Sequence, residues 1–146
     1  MSARSGQAKG FTLVEALVAL LVLSIGLLGV AAMQLKSLQG AHAAYQRSIA
    51  SLAAQDAQER LWAEMAAHWA AQQELACPGL ESVNGEGGEW DDQWSSLLPD
   101  LNHTPVSLEG TCEYGITVSW EEGRFAGGGA PEFTYAVMLP GDSGEE

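Results

Sequence analysis

Residues 11–35 are apolar almost without interruption, and the only charge among them is Glu15. About 20 mostly apolar residues are enough for a helix to cross the hydrocarbon of a bilayer. Beyond Leu35 the pattern changes. Leu35, Leu38, Tyr45, Ile49 and Leu52 recur at spacings of three, four or seven, with Gln39, Gln46 and Arg47 between them. That periodicity predicts an amphipathic continuation of the same helix to residue 74, with these side chains on its apolar face. Trp62, Met65 and Trp69 extend the apolar positions, and Asp56 and Arg60 are spaced to pair on one face. No proline precedes Pro78, so nothing forces a break earlier, and Cys77, Pro78 and Gly79 together read as the stop signal.

The period then shortens to two. Cys112, Tyr114, Ile116, Val118 and Trp120 alternate with Glu113, Gly115, Thr117, Ser119 and Glu121, the signature of a half-buried antiparallel strand with one wet face. Phe133, Tyr135, Val137 and Leu139 repeat the alternation. Two or three such strands predict a small sheet laid against the apolar face of the helix. Residues 80–103 are rich in glycine and acids and read as a linker. Within it Trp90 and Trp94 are four apart, suited to one helical turn that pins the loop to the core. The fold class is therefore α+β. Its expected parts are residues 1–10, a membrane-spanning helical half at 11–35, an amphipathic half at 36–76, and a head at 77–146 with a small antiparallel sheet.

Charge narrows what such a head can do. Six Lys and Arg face 19 acids across the 146 residues, a formal charge of −13. Beyond Cys77 there are 14 acids and one basic residue, Arg124. A surface of that sign repels phosphate, so direct nucleic-acid binding by the head is not expected. At the other end Arg4 and Lys9 stand before the apolar run with no acid beside them, which holds that end in the cytoplasm and places everything after the run outside. An ordinary cleaved secretory signal is the alternative, but its apolar core is shorter and does not open on an acid. Cys77 and Cys112 are the only cysteines. They are either unrelated buried thiols or one disulfide, and a head outside the cytoplasm favours the disulfide.

Reactive constellations are missing from the sequence. No serine lies in a G-x-S-x-G turn, and His42, His68 and His103 have no metal-ligand spacing with one another or with the cysteines. The acids Glu86, Glu89, Asp91 and Asp92 lack the spacing of a calcium loop and read as a solvated acidic stretch. Asn102, His103 and Thr104 match a glycosylation triplet, with Pro105 following. Neither an enzyme, a cofactor, a metal nor a small-molecule substrate is expected.

Gly10, Phe11, Thr12, Leu13 and Glu15 reproduce the G-F-T-L-x-E signature of prepilins and pseudopilins of type IV pilus and type II secretion systems. The continuation through Ser24, Ile25, Gly26, Leu27, Leu28 and Gly29 is most similar to the PilV-type minor pilins, a resemblance strong to about Arg60 and thin beyond. It implies cleavage between Gly10 and Phe11 by a prepilin peptidase, N-methylation of Phe11, and an assembly role for Glu15 opposite the terminal amine of a neighbouring subunit. Without residues 1–10 the chain carries 4 bases against 19 acids, −15. The implied partners are the peptidase, other minor and major pilins, and the inner membrane. The implied place is a single pass with the head in the periplasm, followed by incorporation in a pilus, at its tip or in its priming complex. A type II secretion pseudopilin and a pilus-displayed binding or adhesion module are the alternatives. The pair Gly26 and Gly29 suits unwinding during extraction from the bilayer and ordinary membrane-helix glycine equally.

Overall fold

A computed structural model describes residues 10–122 and 129–141. The element order is α1 (Leu13–Gln72), α2 (Glu89–Trp94), β1 (Val106–Gly110), β2 (Glu113–Ser119) and β3 (Glu132–Met138). The chain divides into two units, Met1–Gly40 and Ala41–Glu146.

The first unit is the apolar part of α1. Its most apolar 18-residue window has a mean hydropathy of 2.6 and none of it is buried. The helix runs unbroken through Gly26 and Gly29, and Ser24 folds its hydroxyl back onto the Leu20 carbonyl at 2.7 Å. A polar group that satisfies itself on its own helix is the form in which serine is tolerated in hydrocarbon.

In the second unit the rest of α1 joins α2 and a three-stranded antiparallel sheet of order β1-β2-β3. The alternation from Cys112 to Trp120 is β2, and β1 joins it in a hairpin. β1 and β2 pair with Leu108 opposite Tyr114, and the register shifts between Leu108 and Gly110. Thr111 and Cys112 make the turn, Cys112 in the left-handed region at φ 52°. β2 then pairs with β3 along its whole length, Glu113 opposite Met138 and Ser119 opposite Glu132. Tyr114, Ile116, Val118 and Trp120 are buried, as their alternation requires; of the β3 set, Val137 and Leu139 are buried, Phe133 is half-buried and Tyr135 is exposed.

The face that α1 buries differs from the one its large apolar residues mark. Gln46, Ala50, Ala53, Ala54, Ala57, Leu61 and Met65 point into the core, while Leu35, Leu38, Tyr45, Leu52, Trp62 and Trp69 are exposed and Ile49 is half-buried. The reason is steric. Alanine lets the bulky side chains of the head, Trp90, Trp120 and Tyr114, come close to the helix backbone, and the density of that interface comes from the head. α1 also ends at Gln72, two residues short of expectation. Gln73 takes φ 60° and donates its N–H to the Trp69 carbonyl at 2.9 Å, a left-handed C-terminal cap made without glycine.

Residues 80–103 supply part of the core and leave most of their acids exposed. Val83, Trp90, Leu98 and Leu101 are buried. Asn84 uses its side-chain amide as a strand would, donating to the Val106 carbonyl at 2.6 Å and accepting from the Val106 N–H at 2.9 Å. The Cys77–Cys112 disulfide closes the unit at a Cα separation of 5.1 Å, joining the segment after α1 to the β1–β2 turn.

Candidate functional site: the start of the long helix

Gly10, Phe11 and Thr12 lie outside the helix, which begins at Leu13. Phe11 is exposed, and among the described residues a side-chain carbon built on Gly10 would meet nothing within 4 Å. The peptide between Gly10 and Phe11 therefore sits in non-helical, accessible backbone, the form in which a protease can bind it.

Thr12 has a role the sequence reading missed. Its hydroxyl accepts the Glu15 N–H at 3.3 Å and its carbonyl accepts the Ala16 N–H at 3.2 Å. Thr12 is thus the N-cap and Glu15 the third helical residue, the T-x-x-E spacing of a capping box. The signal was present in the sequence as Thr12, Leu13, Val14, Glu15. The positive end of the helix dipole also favours a carboxylate in the first turn, by about 0.3–1 kcal/mol when exposed. Glu15 is exposed, and among the described residues no cation pairs with it.

In the second unit polar contacts serve the fold. Three indoles are tied to α1: Trp90 Nε1 donates to the Ala53 carbonyl at 3.0 Å, Trp94 Nε1 to Asp56 Oδ2 at 3.0 Å, and Trp120 Nε1 to Gln46 Oε1 at 3.4 Å. Arg60 pairs with Asp56 at 3.1 Å, as their spacing predicts, and reaches on to Glu89 at 3.5 Å and Gln93 at 3.3 Å on α2.

The acidic stretch is partly turned inward. Asp91 is buried and lies 2.6 Å from His103 Nδ1, and its second oxygen accepts the Gly87 N–H at 3.2 Å. Burial pushes the Asp91 carboxyl up, but the bonds from His103 and Gly87 and the charge of His103 outweigh it and hold the group below the ordinary carboxylate range. Asn102 binds the Thr104 and Thr117 carbonyls and accepts from Thr104, so the glycosylation triplet is engaged as a turn. Tyr114 donates its buried hydroxyl to the Pro78 carbonyl at 2.7 Å. His42 and His68 lie on α1 without a side-chain hydrogen bond among the described residues, and there no three His, Cys, Asp or Glu side chains converge as a metal site would need.

Residues 6–31 match the family model described as the prokaryotic N-terminal methylation motif. Neither a curated protein nor a solved structure matches the chain. The motif and the apolar helix behind it support a membrane-anchored protein of the type IV pilin-like or pseudopilin kind, one that a prepilin peptidase processes and that assembles with other pilins.

Proposed function

We propose that this chain is a minor pilin of a type IV pilus, of the PilV type, and that it acts as a structural subunit in pilus biogenesis within a tip or priming complex. Residues 1–10 are its leader. A prepilin peptidase cuts between Gly10 and Phe11 in the inner membrane, with the N-terminus in the cytoplasm and the head in the periplasm, and Phe11 is methylated. The observation that carries this reading is the motif match over residues 6–31, set on a non-helical Gly10–Phe11 bond directly ahead of a capped apolar helix.

Cleavage exposes a cationic amine on Phe11. A carboxylate that finds a cation in a low-dielectric setting is favoured, and one that finds none is heavily penalised. Glu15 of one subunit facing the amine of the next then acts as a register device.

The test is to express Gly10→Leu in a piliated strain that lacks the native copy. A precursor ten residues longer than the mature chain, absent from the sheared pilus fraction, is expected. Mature-length protein in that variant would overturn the cleavage assignment. Wild-type protein absent from pili but required for secretion through an outer-membrane channel would move the reading to a type II pseudopilin.

A further inference from the structure

The two edges of the sheet are finished differently. β1 is five residues long and carries the register shift between Leu108 and Gly110. Its outward-facing Val106 N–H and carbonyl are both taken by Asn84. Bulges, shortness and covering groups are the means by which proteins close a strand edge. Among the described residues β3 has none of them: it is seven residues long, and its pairing to β2 runs without a shift.

The alternation of the ladder says which groups β3 leaves over. Leu139 donates to the Cys112 carbonyl and Trp120 donates to the Pro131 carbonyl, so the bonded pairs recur every second residue between them. That places Val137, Tyr135 and Phe133 against β2. The N–H and carbonyl groups of Glu132, Thr134, Ala136 and Met138 point away from the sheet, and no hydrogen bond from another element reaches them among the described residues. From Thr134 to Met138 the edge carries neither charge nor proline.

Alongside that edge runs a groove of about 430 Å³ between α1 and β3. Ala54 and Phe133 give it an apolar floor, with Ser51, Gln55, Gln58, Glu59 and Tyr135 around them. A strand added to β3 would drop alternate side chains into this groove and leave the others on the wet face with Thr134 and Met138. Among the described residues the only charge lining the groove is that of Glu59, and Glu132 begins the strand. Arg60, the neighbouring cation on α1, is held by Asp56, Glu89 and Gln93. A second copy of this chain would bring its own charge of −13, and an anionic lipid surface is repelled for the same reason.

We infer that β3 is a docking edge for an extended, basic segment of another polypeptide, which adds a fourth strand and seats lysine or arginine side chains in the groove beside Glu59. This inference rests on the second unit alone and stands whether or not the chain enters a pilus.

The test uses the full chain in uncharged detergent micelles and a capped seven-residue peptide of alternating valine and lysine, read by amide hydrogen exchange. At saturating peptide, exchange of the Thr134, Ala136 and Met138 amides should slow at least about tenfold, since each forms a new hydrogen bond. The effect should be lost at high salt and with a valine–glutamate peptide. Thr134→Pro removes one outward N–H at an edge position where proline is tolerated, and should weaken binding about tenfold while the β2–β3 amides keep their protection. Glu59→Lys should weaken it as well. The inference is overturned if millimolar peptide leaves those three amides unprotected, if the acidic peptide protects them equally, or if Thr134→Pro binds as well as the parent. Protection of the same amides without peptide, in a particle of two copies, would assign the edge to self-pairing and overturn it too.

Discussion

The Cys77–Cys112 bridge should be the largest single contribution to the stability of the second unit. Its cysteines are 35 residues apart, and closing a loop of that size in the unfolded chain is worth about 4 kcal/mol at 25 °C in the chain-entropy treatment. Against the 5–15 kcal/mol typical of a folded domain, that is a large share. The perturbation is reduction of the wild-type chain, which keeps both sulfur atoms and their packing, compared with Cys77→Ala/Cys112→Ala, which removes them. The assay is urea unfolding of the full chain in micelles, followed by fluorescence of the buried Trp90, Trp94 and Trp120. Reduction should lower the unfolding free energy by roughly 3–4 kcal/mol. The alanine pair should fall at least as far, because Cys112 is fully buried.

A third variant separates the cross-link from the backbone. Cys112 is held at φ 52°, where a residue with a Cβ costs about 1–2 kcal/mol more than glycine does. Cys77→Ala/Cys112→Gly should therefore recover about 1 kcal/mol over the double alanine, after the greater unfolded-state entropy of glycine is subtracted. If reduction changed stability by less than about 1 kcal/mol, the loop-entropy account would fail. If glycine and alanine were equal at position 112, the turn would not be strained and that part of the reasoning would fall separately.

Four further outcomes test the fold and its helix start. Ala57→Leu, placed in the closely packed alanine face, should cost about 1–3 kcal/mol, whereas Leu52→Ala on the exposed side should stay within about 0.5 kcal/mol; similar losses in urea melts would reverse the assignment of faces. Asp91 has a depressed carboxyl pKa in the folded state, so its contribution is present above the ordinary value of 3.8 and is lost as pH falls through the lower folded value. Asp91→Asn should remove that part of the acid loss, seen as a flatter stability–pH curve below pH 3.8. Glu15→Gln should leave helix onset and leader cleavage unchanged while lowering recovery in sheared pili at least about tenfold, as expected if a charge pair worth over 1.4 kcal/mol is lost. Thr12→Ala, by contrast, should loosen the first turn by about 1 kcal/mol, read as faster exchange of the Glu15 amide.

Much of this architecture was legible because it rests on repeating patterns. The apolar run at 11–35, the alternation from Cys112 to Trp120, the Asp56–Arg60 spacing and the Trp90–Trp94 turn each express a local geometric rule, and the fold keeps all four. The buried face of α1 was legible only at Met65 and, in part, at Ile49. Hydrophobic periodicity follows the largest side chains, and Tyr45 and Leu52 marked a helix face that the second unit leaves open. Alanine at positions 50, 53, 54 and 57 carries little hydropathy signal, and its value appears only once Trp90 and Trp120 are placed against it. The linker reading of residues 80–103 was incomplete for a similar reason. Glycines and acids dominate its composition, but the few residues that decide its structure (Asn84, Trp90, Asp91 and Leu98) act through partners distant in sequence.

The start of the helix shows how one residue can answer to two demands. As the third helical residue behind Thr12, Glu15 is locally at ease: its N–H is capped and its charge faces the positive end of the dipole. Those gains amount to about 1 kcal/mol at most for an exposed group. They fall short of the roughly 2.5–3.5 kcal/mol that an acid costs deep in a membrane helix. A cap alone also does not require a carboxylate, because glutamine closes the same box. The dipole therefore accounts for only part of the charge, while the spacing T-x-x-E has a full local explanation. Thr12 and the backbone of Glu15 therefore belong to helix initiation, and the carboxylate is the part of the motif that calls for a cation from outside the chain.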